Sequence, residues 1–312
     1  MKLRFIIWIM TICSISTIYG QVRIISYNVE NLFDCQHDSL KNDSSFLPTG
    51  THHWTYPRYH TKLNRIAQVI VNISGWESTP LVGLCEVENA RCLRDLCYRL
   101  RRFHYHYIHY ESEDEHYDSP DERGIDVALL YDSTKVQILN SRALSIPLVG
   151  DYTRDVLYAC CLIHQQDTIH TMVCHLPSQL GGRVNTEHKR IVAKQVIQHH
   201  IDSILYINPQ AKIVVMGDMN QTPVNDLDKM NNLMLAFEQE QQGTHKFQGI
   251  WTCLDQFYVS HAIYQHATTE IFAPEWILEE DTKYLDVQPK RTYISYRYHD
   301  GYSDHLPIVL NF

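Results

Sequence analysis

The chain has 312 residues, of which 44% are hydrophobic and 20% charged, and its formal net charge at pH 7 is −9. This is an ordinary globular composition, long enough for one large domain or two small ones. An acidic protein does not coat nucleic acid by charge alone, because neutralising phosphates needs clustered Lys and Arg. The balance therefore excludes nucleic-acid binding driven by net charge.

The first element along the chain is a short N-terminal apolar run. Lys2 and Arg4 precede the run, which covers about residues 5–18. This layout is typical of a signal peptide, and the run is too short to span a bilayer comfortably. Residues 1–20 are therefore predicted to be removed, leaving residues 21–312 as an exported protein of the periplasm or the extracellular space. A retained N-terminal anchor is the alternative, because the residue three positions before the predicted cleavage point is not small.

Short apolar runs of β type recur along the rest of the chain. They cover residues 22–27, 81–85, 125–131, 156–163, 168–174, 212–216, 256–259 and 306–310. Their apolarity is continuous rather than alternating, which indicates strands buried on both faces. Helical periodicity lies between them, at residues 63–71 and 191–199. Strands interleaved with helices predict an α/β protein of packed sheets and outer helices, in one domain because no repeat or linker divides the chain.

Two polar segments interrupt this pattern and are interpreted as irregular, solvated insertions. Residues 34–59 are rich in turn formers, with Trp54, Tyr56 and Tyr59 scattered through them, and residues 111–122 are strongly acidic. Loops of such length in a compact domain are commonly functional or disordered.

Eight cysteines follow the predicted signal peptide, with no CxxC pair and no zinc-like spacing. Those in the apolar runs are interpreted as small core residues. Export would permit a disulfide bond, but the spacing does not select a pair.

Five polar motifs lie at the ends of apolar runs. They are residues 26–31 (SYNVEN), 84–87 (LCEV), 175–178 (HLPS), 217–220 (GDMN) and 303–307 (SDHLP). Each is weak evidence alone, because a Glu after a strand is usually solvated and a lone His is usually satisfied in the core. Since the carboxyl ends of buried strands converge on one rim, the five together predict a single functional site.

In order and in content, these motifs resemble the sequence blocks of the endonuclease/exonuclease/phosphatase superfamily. That superfamily includes pancreatic-type deoxyribonucleases, abasic-site endonucleases, neutral sphingomyelinases and inositol phosphatases. The matching motifs span residues 27–307, nearly the whole exported chain. The resemblance implies a four-layer α/β/β/α sandwich of two packed mixed sheets with outer helices, and a metal-dependent phosphodiester hydrolase.

The resemblance also implies a metal site. Glu86 looks like the principal metal carboxylate, with Asn28 beside it and Asp304 as a partner on the metal side. Carboxylate and amide oxygens suit Mg²⁺, Mn²⁺ or Ca²⁺, whereas zinc prefers more nitrogen or sulfur. Such a metal would act as a Lewis acid on a phosphoryl oxygen and lower the pKa of a bound water.

Five acid–base and phosphate-binding roles follow from the same resemblance. His175 and His305 resemble the two catalytic histidines. Asp218 and Asn220 look like the pair that orients the nucleophilic water and contacts the phosphate, and Asp255 matches the acid that orients His305. A histidine paired to a carboxylate can serve as a general base or acid near neutral pH. The sequence does not decide which histidine is the base and which the acid.

Two further roles rest on shorter likenesses. Glu122, just before a predicted strand, resembles the deoxyribonuclease Glu that pairs with the first histidine. Arg154, also before a strand, resembles the Arg that grips the scissile phosphate, a task suited to its bidentate guanidinium. The competing interpretation is structural, since a loop Glu is usually solvated and an Arg usually packs its stem.

A secreted DNA endonuclease is the leading functional prediction, because the HxP block and the paired histidines resemble the deoxyribonuclease branch. A sphingomyelinase-type lipid phosphodiesterase is the main alternative, for which Trp54, Tyr56 and Tyr59 could supply an exposed aromatic surface. Inositol phosphatase activity is disfavoured by the lack of a Lys/Arg cluster for several phosphates. A catalytically silent binding module is disfavoured by the complete set of metal and acid–base residues. Fold resemblance alone does not choose among these substrates.

Overall fold

The structure is a computed structural model that describes residues 22–110, 123–148, 151, 153–179 and 182–312, apart from the side chains of residues 183–185. The predicted signal peptide at residues 1–20 and the acidic segment 111–122, which contains Glu122, lie outside the described residues.

Strands and helices alternate along the described residues. The strands are β1 (Arg23–Leu32), β2 (Leu81–Val87), β3 (Tyr105–Ile108), β4 (Asp126–Asp132), β5 (Val136–Leu144), β6 (Val156–Ile163), β7 (Asp167–His175), β8 (Lys212–Asp218), β9 (Met230–Asn232), β10 (His245–Phe247), β11 (Ile250–Thr252), β12 (Asp255–Ser260), β13 (Thr268–Ile271), β14 (Leu278–Asp281), β15 (Asp286–Pro289), β16 (Tyr293–Ile294), β17 (Arg297–Tyr298) and β18 (Ile308–Asn311). The α-helices are α1 (Tyr56–Ser74), α2 (Ala90–Arg99), α3 (Arg183–Ile207), α4 (Leu235–Gln239) and α5 (His261–Tyr264), and two 3₁₀ helices cover Ser44–Phe46 and Glu275–Ile277.

Two six-stranded sheets form the centre of the molecule. The first has the strand order β13-β18-β1-β2-β4-β3 and the second the order β5-β6-β7-β8-β12-β9. Both are mixed: β1 and β2 pair in parallel, as do β7 and β8, and the other neighbours are antiparallel. The hairpins β10-β11, β14-β15 and β16-β17 form separate two-stranded sheets.

Three apolar cores divide the molecule into four layers. Ile25 of β1 packs with Leu63 of α1 in the core between the first sheet and helices α1 and α2. Its neighbour Ile24 faces the opposite way, into the core between the two sheets. Ile197 of α3 and Val215 of β8 share the third core. Successive strand residues point to opposite faces, so this alternation explains the continuous apolarity of the strands. The predicted four-layer α/β/β/α sandwich is confirmed.

The eight predicted strands are all present, but the interpretation of residues 34–59 was wrong in part. Helix α1 begins at Tyr56, with Pro57 in its first turn, where proline favours helix initiation. Trp54 is buried, and its indole nitrogen donates a hydrogen bond to the carbonyl of Phe33 at 2.8 Å. Tyr59 is also buried. These two rings belong to the core, and only Tyr56 of the proposed aromatic surface is exposed.

Of the four cysteines in the apolar runs, Cys85, Cys161 and Cys174 are buried as the sequence analysis expects, and Cys160 is half-buried. All eight cysteines of the described residues are free, and six of them are buried. Burial raises the pKa of the thiols of Cys85 and Cys92 well above the ordinary value, which keeps them protonated. They therefore act as small core side chains.

Candidate active site

Strand register in the second sheet places three predicted site residues side by side. His175 at the end of β7 is the partner of Asp218 at the end of β8, and Asp218 is the partner of Asp255 at the start of β12. All three are buried. Because β7 and β8 run parallel and β12 runs against them, two strand ends and one strand start meet at the same rim.

This rim depends on Gly217. Its φ is +134°, and a Cβ atom built there would lie 1.8 Å from the carbonyl oxygen of Cys174 on β7. No L side chain fits so close an approach, which accounts for glycine immediately before Asp218.

The first sheet supplies Asn28 and Glu86 to the same rim. Asn28 on β1 pairs with Cys85 on β2, and the pairing of β2 with β4 becomes irregular just beyond, at Glu86. Glu86 has a φ of +69°, which is uncommon outside glycine. The irregularity turns the Glu86 carboxylate toward the N–H of Asn31, which donates to Glu86 Oε2 at 2.8 Å.

Hydrogen bonds join the two sheets at the centre of the site. Asn28 Nδ2 donates to Asp218 Oδ2 at 3.1 Å and to Glu86 Oε1 at 3.3 Å. His175 Nε2 lies 3.5 Å from Asp218 Oδ2 and 3.9 Å from Glu86 Oε1. Asn28 Oδ1 accepts the N–H of Glu30 at 3.0 Å. Asn28 thus faces the carboxylates with its nitrogen, and its role as a metal ligand through oxygen stays a prediction.

His305 reaches this centre from the segment before β18. The backbone N–H of His305 donates to Ser303 Oγ at 3.1 Å, and Ser303 Oγ donates to the carbonyl of Asn28 at 2.7 Å. His305 Nδ1 donates to Asp255 Oδ2 at 2.7 Å, and Nε2 lies 3.8 Å from Asp218 Oδ2. The structure therefore brings together the predicted pair of His305 and Asp255.

The remaining predicted residues differ in how close they come to the centre. Asn220 donates its backbone N–H to Asp218 Oδ1 at 2.8 Å, and its side-chain amide donates to the carbonyl of Leu176 at 2.9 Å. Arg154 is buried and donates from Nε to the carbonyl of His175 at 3.3 Å. His175 Nδ1 is buried and has no hydrogen-bond partner among the described residues. Its predicted partner, Glu122, lies outside them.

The two histidines have opposite electrostatic environments. Burial lowers the pKa of His175 well below its ordinary value, and the positive charges of Arg154 and His305 lower it further. Burial also opposes protonation of His305, but the carboxylates of Asp255 and Asp218 outweigh it and raise the His305 pKa well above its ordinary value. One imidazole is therefore neutral and the other cationic near pH 7, a division typical of acid–base pairs.

The two aspartates also differ in charge state. Burial raises the pKa of Asp218 to about 6, against the opposing effect of the His305 charge. Burial has the same tendency at Asp304, but the positive charges of His305 and His245 overcome it and lower the Asp304 pKa. Asp218 can thus exchange a proton near neutral pH, whereas Asp304 remains an anion.

The sequence analysis gave no role to two residues of this region, Lys62 and Glu30. Lys62 of α1 is buried, and its Nζ donates to the carbonyl of Tyr302 at 2.7 Å and to Thr292 Oγ1 at 2.5 Å. Lys62 Nζ also lies 3.9 Å from Glu30 Oε2, while Glu30 accepts the N–H of Thr292 at 2.6 Å. The pair thereby anchors the segment that leads directly into residues 303–305.

A signal for Lys62 was present in the helical pattern. Lys62 lies three residues after Tyr59 and four before Ile66, on the buried stripe of α1. Lysine is almost never fully buried unless it is paired, so a lysine on such a stripe predicts a buried partner. Burial lowers the pKa of Lys62 to about 8, although the charges of Glu30 and Asp304 oppose the shift.

The oxygen donors at the rim fit a hard divalent cation. Glu86 contributes a carboxylate, and the amide of Asn28 lies between Glu86 and the second sheet. The predicted place of Asp304 on the metal side stays a prediction. The side chain of Glu86 is 16% exposed, so solvent reaches it. An oxygen donor set of this kind suits Mg²⁺, Mn²⁺ or Ca²⁺.

Solved structures share this architecture. TDP2 from Caenorhabditis elegans has a TM-score of 0.61 at 15% identity, over 94% of this chain and 74% of that chain. The human Nocturnin catalytic domain with bound sulfate has a TM-score of 0.57 at 14% identity, over 93% of both chains. D. rerio TDP2 complexed with a single-strand DNA product has a TM-score of 0.56 at 18% identity, over 94% and 98% of the two chains. At these identities the likeness shows a common fold.

Sequence comparison identifies the family. No curated protein matches the chain. A family model described as the endonuclease/exonuclease/phosphatase family matches residues 23–312, a range that contains all five motifs and every predicted site residue. The chain therefore belongs to the endonuclease/exonuclease/phosphatase family.

Proposed function

We propose that this chain is an exported, divalent-metal-dependent phosphodiester hydrolase that cleaves DNA. One observation carries the proposal: His175, Asp218 and His305 meet Glu86 at a single rim, with Asp218 Oδ2 within 3.8 Å of both imidazoles. Phosphodiesterases and nucleases are the activities of this family, which supports hydrolysis. A DNA product accompanies one of the structurally similar proteins, which supports DNA as the substrate class.

The side chains suit hydrolysis by an activated water. Asp218, whose pKa is raised to about 6, would accept the proton of the attacking water, which Asn220 helps to orient. His305, held cationic by Asp255, would contact a phosphate oxygen and stabilise the charge that develops there. A divalent ion bound by Glu86 would supply Lewis-acid chemistry at the phosphoryl oxygen.

Local positive charge supports a nucleic-acid substrate despite the acidic composition. The charges of Arg154 and Arg123 act on His175, and that of Arg291 acts on Asp304. Arginine binds phosphate through paired N–H donors, so the positive charge near the site would attract a phosphate of the substrate. We therefore expect affinity to come from a few contacts near the scissile bond.

A panel of substrates tests the proposal on the protein of residues 21–312. Plasmid nicking, sphingomyelin hydrolysis and phosphomonoester release are measured with Mg²⁺ and with a chelator. We expect Mg²⁺-dependent nicking that is lost in Glu86→Gln and kept in Glu77→Gln, a control at an exposed glutamate. Nicking that survives the chelator would refute metal dependence. Hydrolysis of sphingomyelin with no nicking of the plasmid would show that the substrate is lipid and not DNA.

A lipid phosphodiesterase is the second candidate, and one surface favours it. Hairpin β10-β11 begins beside the site, because His245 forms an isolated bridge with His305. At its turn, Phe247 and Ile250 face each other across the hairpin and are 65% and 69% exposed. Leu285 at the β14-β15 turn is 89% exposed. Exposed apolar clusters of this kind mark lipid or protein contact sites.

Phe247→Ser separates the two candidates within the same panel. If lipid is the substrate, this variant should lose hydrolysis of sphingomyelin in vesicles and keep plasmid nicking. If DNA is the substrate, nicking should be the activity found, and vesicle binding should be absent in wild type and variant alike.

Export belongs to the proposal and rests on the layout of residues 1–20. Among the described residues, no helix has both the length and the apolarity to cross a membrane. Mass spectrometry of exported protein should show an N-terminus near Gln21. If the protein is found in the membrane fraction and still begins at Met1, it is a membrane-anchored enzyme and not an exported one.

A further inference from the structure

A third histidine stands beside the proposed catalytic pair. One ligand-capable atom from each of His245, Asp304 and His305 lies within 4.8 Å of the other two. The isolated bridge between His245 and His305 holds their backbones together, and their ring centroids are 4.8 Å apart. The roles proposed for hydrolysis do not use His245.

The ligand atoms of this cluster are available. His305 Nδ1 is occupied by Asp255, which leaves Nε2 to bind an ion. A carboxylate behind the imidazole is the usual support of a metal-binding histidine, because it fixes the tautomer and the ring orientation. The His245 ring has no hydrogen bond to any described residue, and it is only partly exposed.

The chemistry of this cluster differs from that of the oxygen site at Glu86. Two imidazole nitrogens and one carboxylate are the donor set of catalytic zinc sites and of other late transition metals. Mg²⁺ disfavours such a set, because it prefers oxygen ligands in octahedral geometry. Three protein ligands leave a coordination position for water.

We propose that His245, Asp304 and His305 form a second metal site, selective for a transition-metal ion such as Zn²⁺, and that the bound ion inhibits hydrolysis. The ion would be bound by His305 Nε2, the ring atom that the proposed function places against the phosphate. With Nε2 bound to the ion, the His305 ring cannot contact the phosphate. The inhibitory part rests on the proposed function, whereas the metal site itself does not.

Cobalt binding tests the site without any assay of activity. Chelator-treated protein in saturating Mg²⁺ is titrated with Co²⁺, whose visible absorption reports nitrogen ligation at low coordination number. We expect one bound ion in the wild type, with affinity lower by about tenfold or more in His245→Phe. His261→Phe, which alters an exposed histidine on α5, should bind as the wild type does. Equal affinity in wild type and His245→Phe would overturn the site.

Two additions keep the outcome decisive. Should His245→Phe fail to fold, Asp304→Asn preserves the side-chain shape, removes the anionic ligand and should weaken Co²⁺ binding in the same way.

Zn²⁺ should inhibit the Mg²⁺-dependent hydrolysis of the wild type at concentrations about tenfold lower than those that inhibit His245→Phe. Equal inhibition of both proteins would overturn the inhibitory role. If no substrate is hydrolysed, the proposed function fails while the Co²⁺ titration still decides the site.

Discussion

The two sheets build their shares of the site by different means. In the second sheet, β7, β8 and β12 keep an unbroken register up to His175, Asp218 and Asp255, so these side chains follow directly from regular pairing. In the first sheet, the pairing becomes irregular just where the site begins, and the backbone at Glu86 and Asn31 has positive φ. His175, Asp218 and Asp255 therefore rest on regular strands, whereas the metal carboxylate of Glu86 and the segment that carries His305 do not.

The difference follows from what each group must do. Side chains that exchange protons need fixed mutual distances, and adjacent strand positions provide them. A carboxylate that binds a cation must point toward the ion, and the irregular pairing at Glu86 re-aims the side chain at the cost of backbone strain. Asn28 joins the two regions, because its amide donates to Glu86 on one side and to Asp218 on the other.

The largest effect is expected at His305, the histidine that Asp255 of the regular side orients. His305→Ala should lower kcat on a metal-saturated phosphodiester substrate by about 10³–10⁴, because it removes the cation that faces the phosphate. Metal affinity at the Glu86 site should change little. His261→Ala, at an exposed histidine, is the matched control and should keep the wild-type kcat. A His305→Ala enzyme within tenfold of the wild type would remove His305 from the catalytic machinery.

Asp255→Asn should cost somewhat less, about 10³ in kcat, since it leaves the imidazole but removes the carboxylate that orients and charges it. The two residues act as one unit, so the double variant should be little worse than His305→Ala alone. Steady-state kcat values of the four proteins in this cycle provide the measurement. Losses that simply multiply would mean that Asp255 and His305 act independently.

On the irregular side, the main effect should be on metal affinity rather than on kcat. Glu86→Gln should weaken Mg²⁺ binding by about 100-fold with little loss of fold, because it removes the charge that holds a hard cation. Calorimetric titration and thermal unfolding separate the two quantities, with Glu77→Gln as the control. Equal Mg²⁺ affinity in Glu86→Gln and the wild type would show that Glu86 is not a metal ligand.

Regular pairing also explains which parts of the molecule could be predicted from the sequence. Apolar runs identified eight of the twelve strands of the two central sheets, and the polar residues at their ends could be assigned to one rim. The runs did not identify β3, β5, β9 and β13. The short hairpins β10-β11 and β14-β15 were missed, because their three- and four-residue strands carry no apolar run. Continuous apolarity indicated packed sheets with outer helices, and the four-layer arrangement followed from the family resemblance.

What depends on distant contacts could not be predicted. His245 belongs to no motif, and only the bridge between β10 and the segment before β18 brings it to His305. Trp54 lies in a polar stretch, but it is buried because its indole N–H reaches the carbonyl of Phe33. Glu86 was identified as a site residue from its motif. Its positive φ could not be predicted, because residues other than glycine rarely adopt one.

The smallest effect on activity is expected for Lys62→Met. This variant tests whether residues 303–305 depend on the buried pair of Lys62 and Glu30 for their position. The substitution keeps an unbranched side chain on α1 but removes the donor to the carbonyl of Tyr302, two residues before Asp304. With that tether gone, kcat at saturating Mg²⁺ should fall by about tenfold. Stability should fall by about 3–5 kcal/mol, because the carboxylate of Glu30 is left buried without its cation.

A second variant separates positioning from stability. Glu30→Gln in the Lys62→Met background removes the unpaired charge and should restore much of the thermal stability, since a neutral amide is cheaper to bury. It does not restore the hydrogen bond to Tyr302, so kcat should stay low. Lys135→Met is the control, because Lys135 donates to the carbonyl of Ser78, which precedes the start of β2, at the opposite end of that strand from Glu86, and the variant should affect stability alone. If kcat recovered together with the melting temperature, Lys62 would only stabilise the fold, and the segment at residues 303–305 would hold its geometry without it.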